Sequence, residues 1–185
     1  MNVGPIEMLL AEHRNIEKVI DAMLVVKSNL VSGEAVEPQT LRDMVEFMRL
    51  YADKCHHGKE EAILFPLLVE KGVPAQGGPI QVLTHEHELC RKAVGEFATV
   101  VEAYAKSSNE STEELISKLC ALTALYPNHI WKEDNVLFPM SEEIFDVTEK
   151  GELLKSFEKV DQEQGEATHK RLVAIAEDLS HLTNT

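Results

Sequence analysis

His56-His57-Gly58-Lys59-Glu60-Glu61-Ala62-Ile63-Leu64-Phe65-Pro66 and, seventy-three residues on, His129-Ile130-Trp131-Lys132-Glu133-Asp134-Asn135-Val136-Leu137-Phe138-Pro139 are two copies of one phrase. Each copy is a His, a Glu four residues later, then Leu-Phe-Pro. On a helix, positions i and i+4 share a face, so each copy aims an imidazole and a carboxylate the same way. Each phrase also has a lone His upstream: His13 lies forty-three residues before His56, and His87 forty-two before His129. The chain therefore reads as two half-repeats. Together they offer four imidazoles and two carboxylates, an inventory for a pair of metal ions inside a bundle of helices.

Five helices are expected from the periodicity and the breakers. They run from about Ile6 to Val31, Pro38 to Lys71, Pro79 to Lys106, Ser111 to Glu143, and Gly151 to Leu182. Pro38 and Pro79 suit first turns. Ser111-x-x-Glu114 has the form of a capping box for the fourth helix, and Pro127 and Pro139 would bend it. The connections are short and nothing alternates like a strand. The expectation is all-α: an up-down-up-down four-helix bundle over residues 1–149, with an additional C-terminal helix over 150–185 packing on or capping it.

Helix phase, at 3.6 residues per turn, selects among adjacent His. Stepping back from His56 meets Ala52, Met48, Val45 and Leu41, and stepping forward meets Glu60 and Ile63. This is the apolar stripe. His57 shares its face with Asp53, Arg49, Glu46 and Glu61, a polar set, so His57 and Glu61 are expected at the surface. His87 follows Leu83 and Ile80 and precedes Cys90, Val94 and Phe97, whereas His85 keeps polar company. His13 and His129 also lie on apolar stripes. The expected metal ligands are therefore His13, His56, Glu60, His87, His129 and Glu133. Uncompensated burial of two carboxylates would cost several kcal/mol each, and a cation removes that cost.

Imidazole and carboxylate donors without thiolate suit iron, manganese or zinc, and two Glu able to bridge favour a dinuclear centre. These residues resemble the hemerythrin-like (HHE cation-binding) family: a lone His, His-x-x-x-Glu, a lone His and a second His-x-x-x-Glu, with Leu-Phe-Pro after each pair. The resemblance covers about residues 6 to 143. It implies a four-helix bundle holding two non-haem iron ions, oxo- or hydroxo-bridged, with the two Glu as bridges. It also implies a small diatomic ligand, O2 or NO, for sensing, storage or detoxification. The alternatives are a di-iron enzyme (peroxidase, NO reductase or iron-centre repair) using the same site, or an iron-responsive interaction module. The family's oxygen carriers use five His; the four selected here imply a more open site, suited to reactivity or sensing over stable O2 carriage.

The remaining features bound the function from outside. With 32 acidic against 18 basic residues the net charge is −14, which disfavours a phosphate backbone as partner. No apolar run reaches a membrane-spanning length, and the N-terminus lacks the basic start and apolar core of a signal peptide. Cys55, Cys90 and Cys120 are too far apart for a Cys-x-x-Cys motif, so free thiols in a reducing cytoplasm are expected. Cys55 reads as a small buried thiol. Tyr51, Tyr126 and Trp131 read as packing residues near ligand His. His169 is a fifth His candidate on the C-terminal helix, most simply a half-exposed one.

Overall fold

The computed structural model describes residues 4–184, with the side chains of 108–110 and 184 outside the description, as is the opening Met1-Asn2-Val3. All regular structure among the described residues is helical. The first helix, α1, is Pro5–Val31, opened by a proline and closed by Ser32-Gly33, where Gly33 takes φ +83°. The second, α2, is continuous over residues 38–70, again opened by a proline and stopped before Gly72 at φ +96°. Then come α3 (Pro79–Tyr104) and α4, continuous over 108–144. The fourth helix begins at Ser108, so Ser111 lies inside it and caps nothing.

The expected single C-terminal helix is two: α5 (Val147–Gln164) and α6 (Glu166–Ser180), the latter ending in a 3-10 turn at His181–Asn184. The break is Gly165, whose φ of +92° and ψ of 129° suit glycine and no L-residue with a side chain. The start of α5 is set by a complete capping box, Asp146 accepting from the Thr148 and Glu149 amides while the Glu149 side chain accepts from the Asp146 amide.

Each long helix packs on its neighbours in sequence, α1 with α2, α2 with α3 and α3 with α4; α4 returns against α1. Helices α5 and α6 lie along α1 and α2. The core is divided into two apolar clusters. One gathers Leu9, Leu64, Phe65, Leu83, Leu137 and Phe138 with Phe157 of α5. The other gathers Ile16, Met23, Ala52, Cys90, Leu122 and Tyr126 with Leu172 of α6. His13, His56, His87 and His129 each fall in sequence between a residue of one cluster and a residue of the other. The polar layer is therefore sandwiched across the helices at one level. No helix among the described residues is long and apolar enough to cross a membrane.

Candidate metal centre

Two stretches of α2, Met48–His57 and Glu60–Leu64, and one of α4, Glu133–Leu137, are wound as π-helix. With i→i+5 bonds, a π turn holds more residues than an α turn and turns through a smaller angle per residue. The inward stripe widens accordingly. Over Met48–His57 it takes in Tyr51, Ala52, Cys55, His56 and His57 together.

His57 is therefore buried, not at the surface as the 3.6-residue phase demands. Its ring stacks on His87 at 3.9 Å and 12°, and meets His129 edge-on at 5.3 Å. The six residues selected from sequence are all buried too, and the four helices bring them together. His57, His87 and His129 form one set of donors within 4.8 Å of one another; His13, His56 and Glu133 form another; Glu60, His87 and Glu133 link them. Glu133 reaches His13 Nε2 at 3.1 Å and His129 Nε2 at 3.3 Å, while Glu60 lies 3.6 Å from His56 Nε2 and 3.4 Å from His87 Nε2.

The outer nitrogens of these rings are held by carboxylates. His13 Nδ1 donates to Asp134 at 2.6 Å, His56 Nδ1 to Glu12 at 2.9 Å, His87 Nδ1 to Glu61 at 2.6 Å and His129 Nδ1 to Glu86 at 3.2 Å. Each carboxylate is in turn paired with a cation: Asp134 with Arg14, Glu12 with Lys59, Glu61 with Arg91 and Glu86 with Lys132. His57 Nδ1 lies 3.4 Å from Asp53, without hydrogen-bond geometry. A carboxylate on Nδ1 fixes the tautomer and turns the Nε2 lone pair inward, the arrangement that orients metal-ligating histidines. Sequence reasoning left Glu61 at the surface and passed over the partners of the other rings. The repeat carried the signal, since Glu12/Glu86, Lys59/Lys132 and Glu61/Asp134 occupy matching places in the two halves.

The donor set fits a cation. Both Glu60 oxygens, Glu133 Oε2 and His129 Nε2 are buried with no hydrogen-bond partner, and the Nε2 atoms of His13 and His56 face each other at 2.8 Å. Without a cation, protons must do its work. Burial opposes charge on His13 and His87, but Asp134 and Glu133 raise the first to about 9, and Glu133, Glu60 and Glu61 raise the second to about 11. Burial and the surrounding imidazoles hold His57 well below the ordinary imidazole value and His129 below it. Glu133 is held well below the carboxylate range because His129, His13 and His87 outweigh its burial.

Other expectations separate. Phe65 stacks on His87 at 5.7 Å and Phe138 on His13 at 5.3 Å, so the Leu-Phe-Pro phenylalanines wall the layer crosswise, each against the lone His of the other half. Tyr51 and Tyr126 are buried, and the Tyr51 hydroxyl accepts from Asn15 at 2.9 Å. Cys55 is buried. Trp131, expected to pack, is 61% exposed. His169 is outside the cluster, 5.6 Å from the Tyr51 ring.

No curated protein and no solved structure matches the chain. The family model described as the hemerythrin HHE cation binding domain matches residues 4–141, a span holding the five imidazoles of the layer together with Glu60 and Glu133. The chain belongs to the hemerythrin HHE cation-binding family.

Proposed function

We propose that this chain is a non-haem di-iron protein that binds a small diatomic ligand, O2 or NO. The carrying observation is the fifth imidazole, His57, stacked on His87 in a buried layer that also holds two glutamates. On this reading His57, His87 and His129 would hold one iron and His13 and His56 the other, with Glu60 and Glu133 placed to serve both. The division follows the two donor sets and the carboxylates that reach between them. We further infer that α1 to α4 run up-down-up-down, with α5 and α6 alongside. Short connections and the return of α4 against α1 support that topology.

The donor count argues for a single open position. The His13/His56 side would have one imidazole fewer than the His57/His87/His129 side, and this is where a diatomic ligand would find room. Bound iron supplies the redox electrons and that position. The protein's own contribution is to hold and to shield. The carboxylate–imidazole pairs lock the rings, while Leu9, Leu64, Leu137, Phe65 and Phe138 keep bulk water from the layer. With five His the argument for an open, reactive site loses its basis, and reversible diatomic binding becomes the better-supported role.

The test is metal content together with an anaerobic-to-air optical spectrum of iron-loaded protein. About two irons per chain, with a charge-transfer band that appears in air and reverses on deoxygenation, is the expected result. Irreversible oxidation would transfer the assignment to catalysis, and a single iron would remove the dinuclear reading.

A further inference from the structure

A second cluster of ligand-type side chains lies beside the first and shares no residue with it. Cys55 of α2, Asp161 of α5 and His169 of α6 each offer an atom within 4.8 Å of the others. The Cys55 thiol donates to Asp161 Oδ1 at 3.1 Å. His169 Nδ1 is buried and has no hydrogen-bond partner. A surface cavity of about 240 Å³, lined by Asp161, Gln162, Glu166 and His169, leads to the cluster. The three ligands come from three helices, and Gly165 sets the bend that brings His169 back toward Asp161.

We propose that Cys55, Asp161 and His169 form a mononuclear site for a divalent cation of the zinc class, separate from the histidine–glutamate layer. Thiolate, imidazole and carboxylate are the donors zinc takes, and three of them with a solvent-facing fourth position give its preferred tetrahedron. Donor atoms around a tetrahedral zinc stand about 3.5 Å apart, so Cys55 and Asp161, now at 3.1 Å, would open slightly while the remaining separations, all within 4.8 Å, close by a small side-chain movement. The charges balance. Lys59 is fully buried between Glu12 and Asp161, lying 2.6 Å from the latter, and neutralises one of these two carboxylates. The other carboxylate and a thiolate then match a dication. Binding forms a metal–sulfur bond and releases the thiol proton through the cavity to solvent, with no change of oxidation state. A free nucleophilic role is the poorer reading, since burial and the nearby Glu12 push the Cys55 thiol up. A cation here would tie the α5–α6 bend to the π-wound stretch of α2.

The probe is cobalt(II), titrated into the full-length iron-loaded protein. The histidine–glutamate layer has no sulfur donor, so a thiolate-to-cobalt charge-transfer band reports on the second site alone, even if cobalt also displaces iron. One further cobalt per chain with that band is expected. The band should vanish in Cys55→Ser, persist in Cys120→Ser, and require at least about tenfold more cobalt in His169→Ala and Asp161→Asn. Absence of the band overturns the proposal, as does a band that survives Cys55→Ser or is lost in Cys120→Ser. If Cys55→Ser does not fold, His169→Ala and Asp161→Asn decide: unchanged titrations in both overturn it.

Discussion

At the scale of single residues, the two halves match closely around the layer, and one of the exceptions, His57, decides the function. Lone His, paired His, buried Glu, the carboxylates on the outer ring nitrogens, their lysine partners and the stacking Phe all recur, while the arginines Arg14 and Arg91 stand at different places in the two halves. His57 does not recur: its counterpart in the second phrase is Ile130, buried in the apolar core. One end of the layer therefore has three imidazoles and the other two. This asymmetry makes His57 the most discriminating substitution. His57→Ala should leave the helical content intact and lower metal affinity by at least about 100-fold, beyond the cost of losing an orienting partner. His85→Ala, at an exposed position of α3, should change nothing. Metal retained after dialysis against a graded chelator measures both. Wild-type retention by His57→Ala would return the centre to six protein groups and remove the basis for a single open position.

At the scale of elements, the proline and glycine punctuation made most helix ends legible. Pro5, Pro38 and Pro79 sit in opening turns, and Gly33 and Gly72 follow closing ones, because φ restrictions act locally. The imidazole–carboxylate spacing and the apolar stripes made six of the layer's seven imidazoles and central carboxylates legible for a similar reason. The seventh was hidden by the winding of α2. A phase argument assumes 3.6 residues per turn, and Met48–His57 does not keep it. No residue in that stretch announces a π turn; the pairing of its side chains with α1, α3 and α4 selects it. Gly165 was misread inside a long amphipathic pattern because a lone glycine is tolerated in helices, and only its positive φ makes it obligatory. Gly165→Ala should therefore destabilise, against the usual gain of removing a helical glycine, by about 1 kcal/mol or more. A control at Gly95, inside α3 with open space where a Cβ would stand, should be neutral or stabilising. Paired thermal melts decide. A Gly165→Ala protein as stable as the parent would mean that α5 and α6 can join as one helix.

At the scale of the whole molecule, the metal-free protein should lose stability as pH rises above neutrality and the metal-loaded protein should lose much less. In the metal-free protein His13 and His87 titrate at about 9 and about 11, against about 6.5 for an unfolded imidazole. Their folded state binds the extra protons. The stability they contribute is complete below about pH 6.5 and is lost as pH rises through about 9 and then about 11. His57 and His129 have lowered values, so below about pH 6.5 the unfolded chain binds the extra protons and stability falls as pH falls. Glu133 and Glu12, both held low, add a further loss below about pH 4.5. The metal-free protein is thus expected to be most stable near pH 6.5, with its melting temperature declining on both sides. Metal ions would replace the protons of His13 and His87, so loading at pH 8 should release about two imidazole protons per chain, with one or two more from a bridging solvent, and flatten the alkaline decline. The acid decline should remain, because protons compete with the ions for the same nitrogens. Melting curves of chelator-treated and iron-loaded protein across this range, with proton release followed by an indicator dye, measure both effects. A metal-free protein whose melting temperature climbs from about pH 7 to about pH 9 would show that His13 and His87 are neutral, and that the buried glutamates of the layer are balanced in some other way.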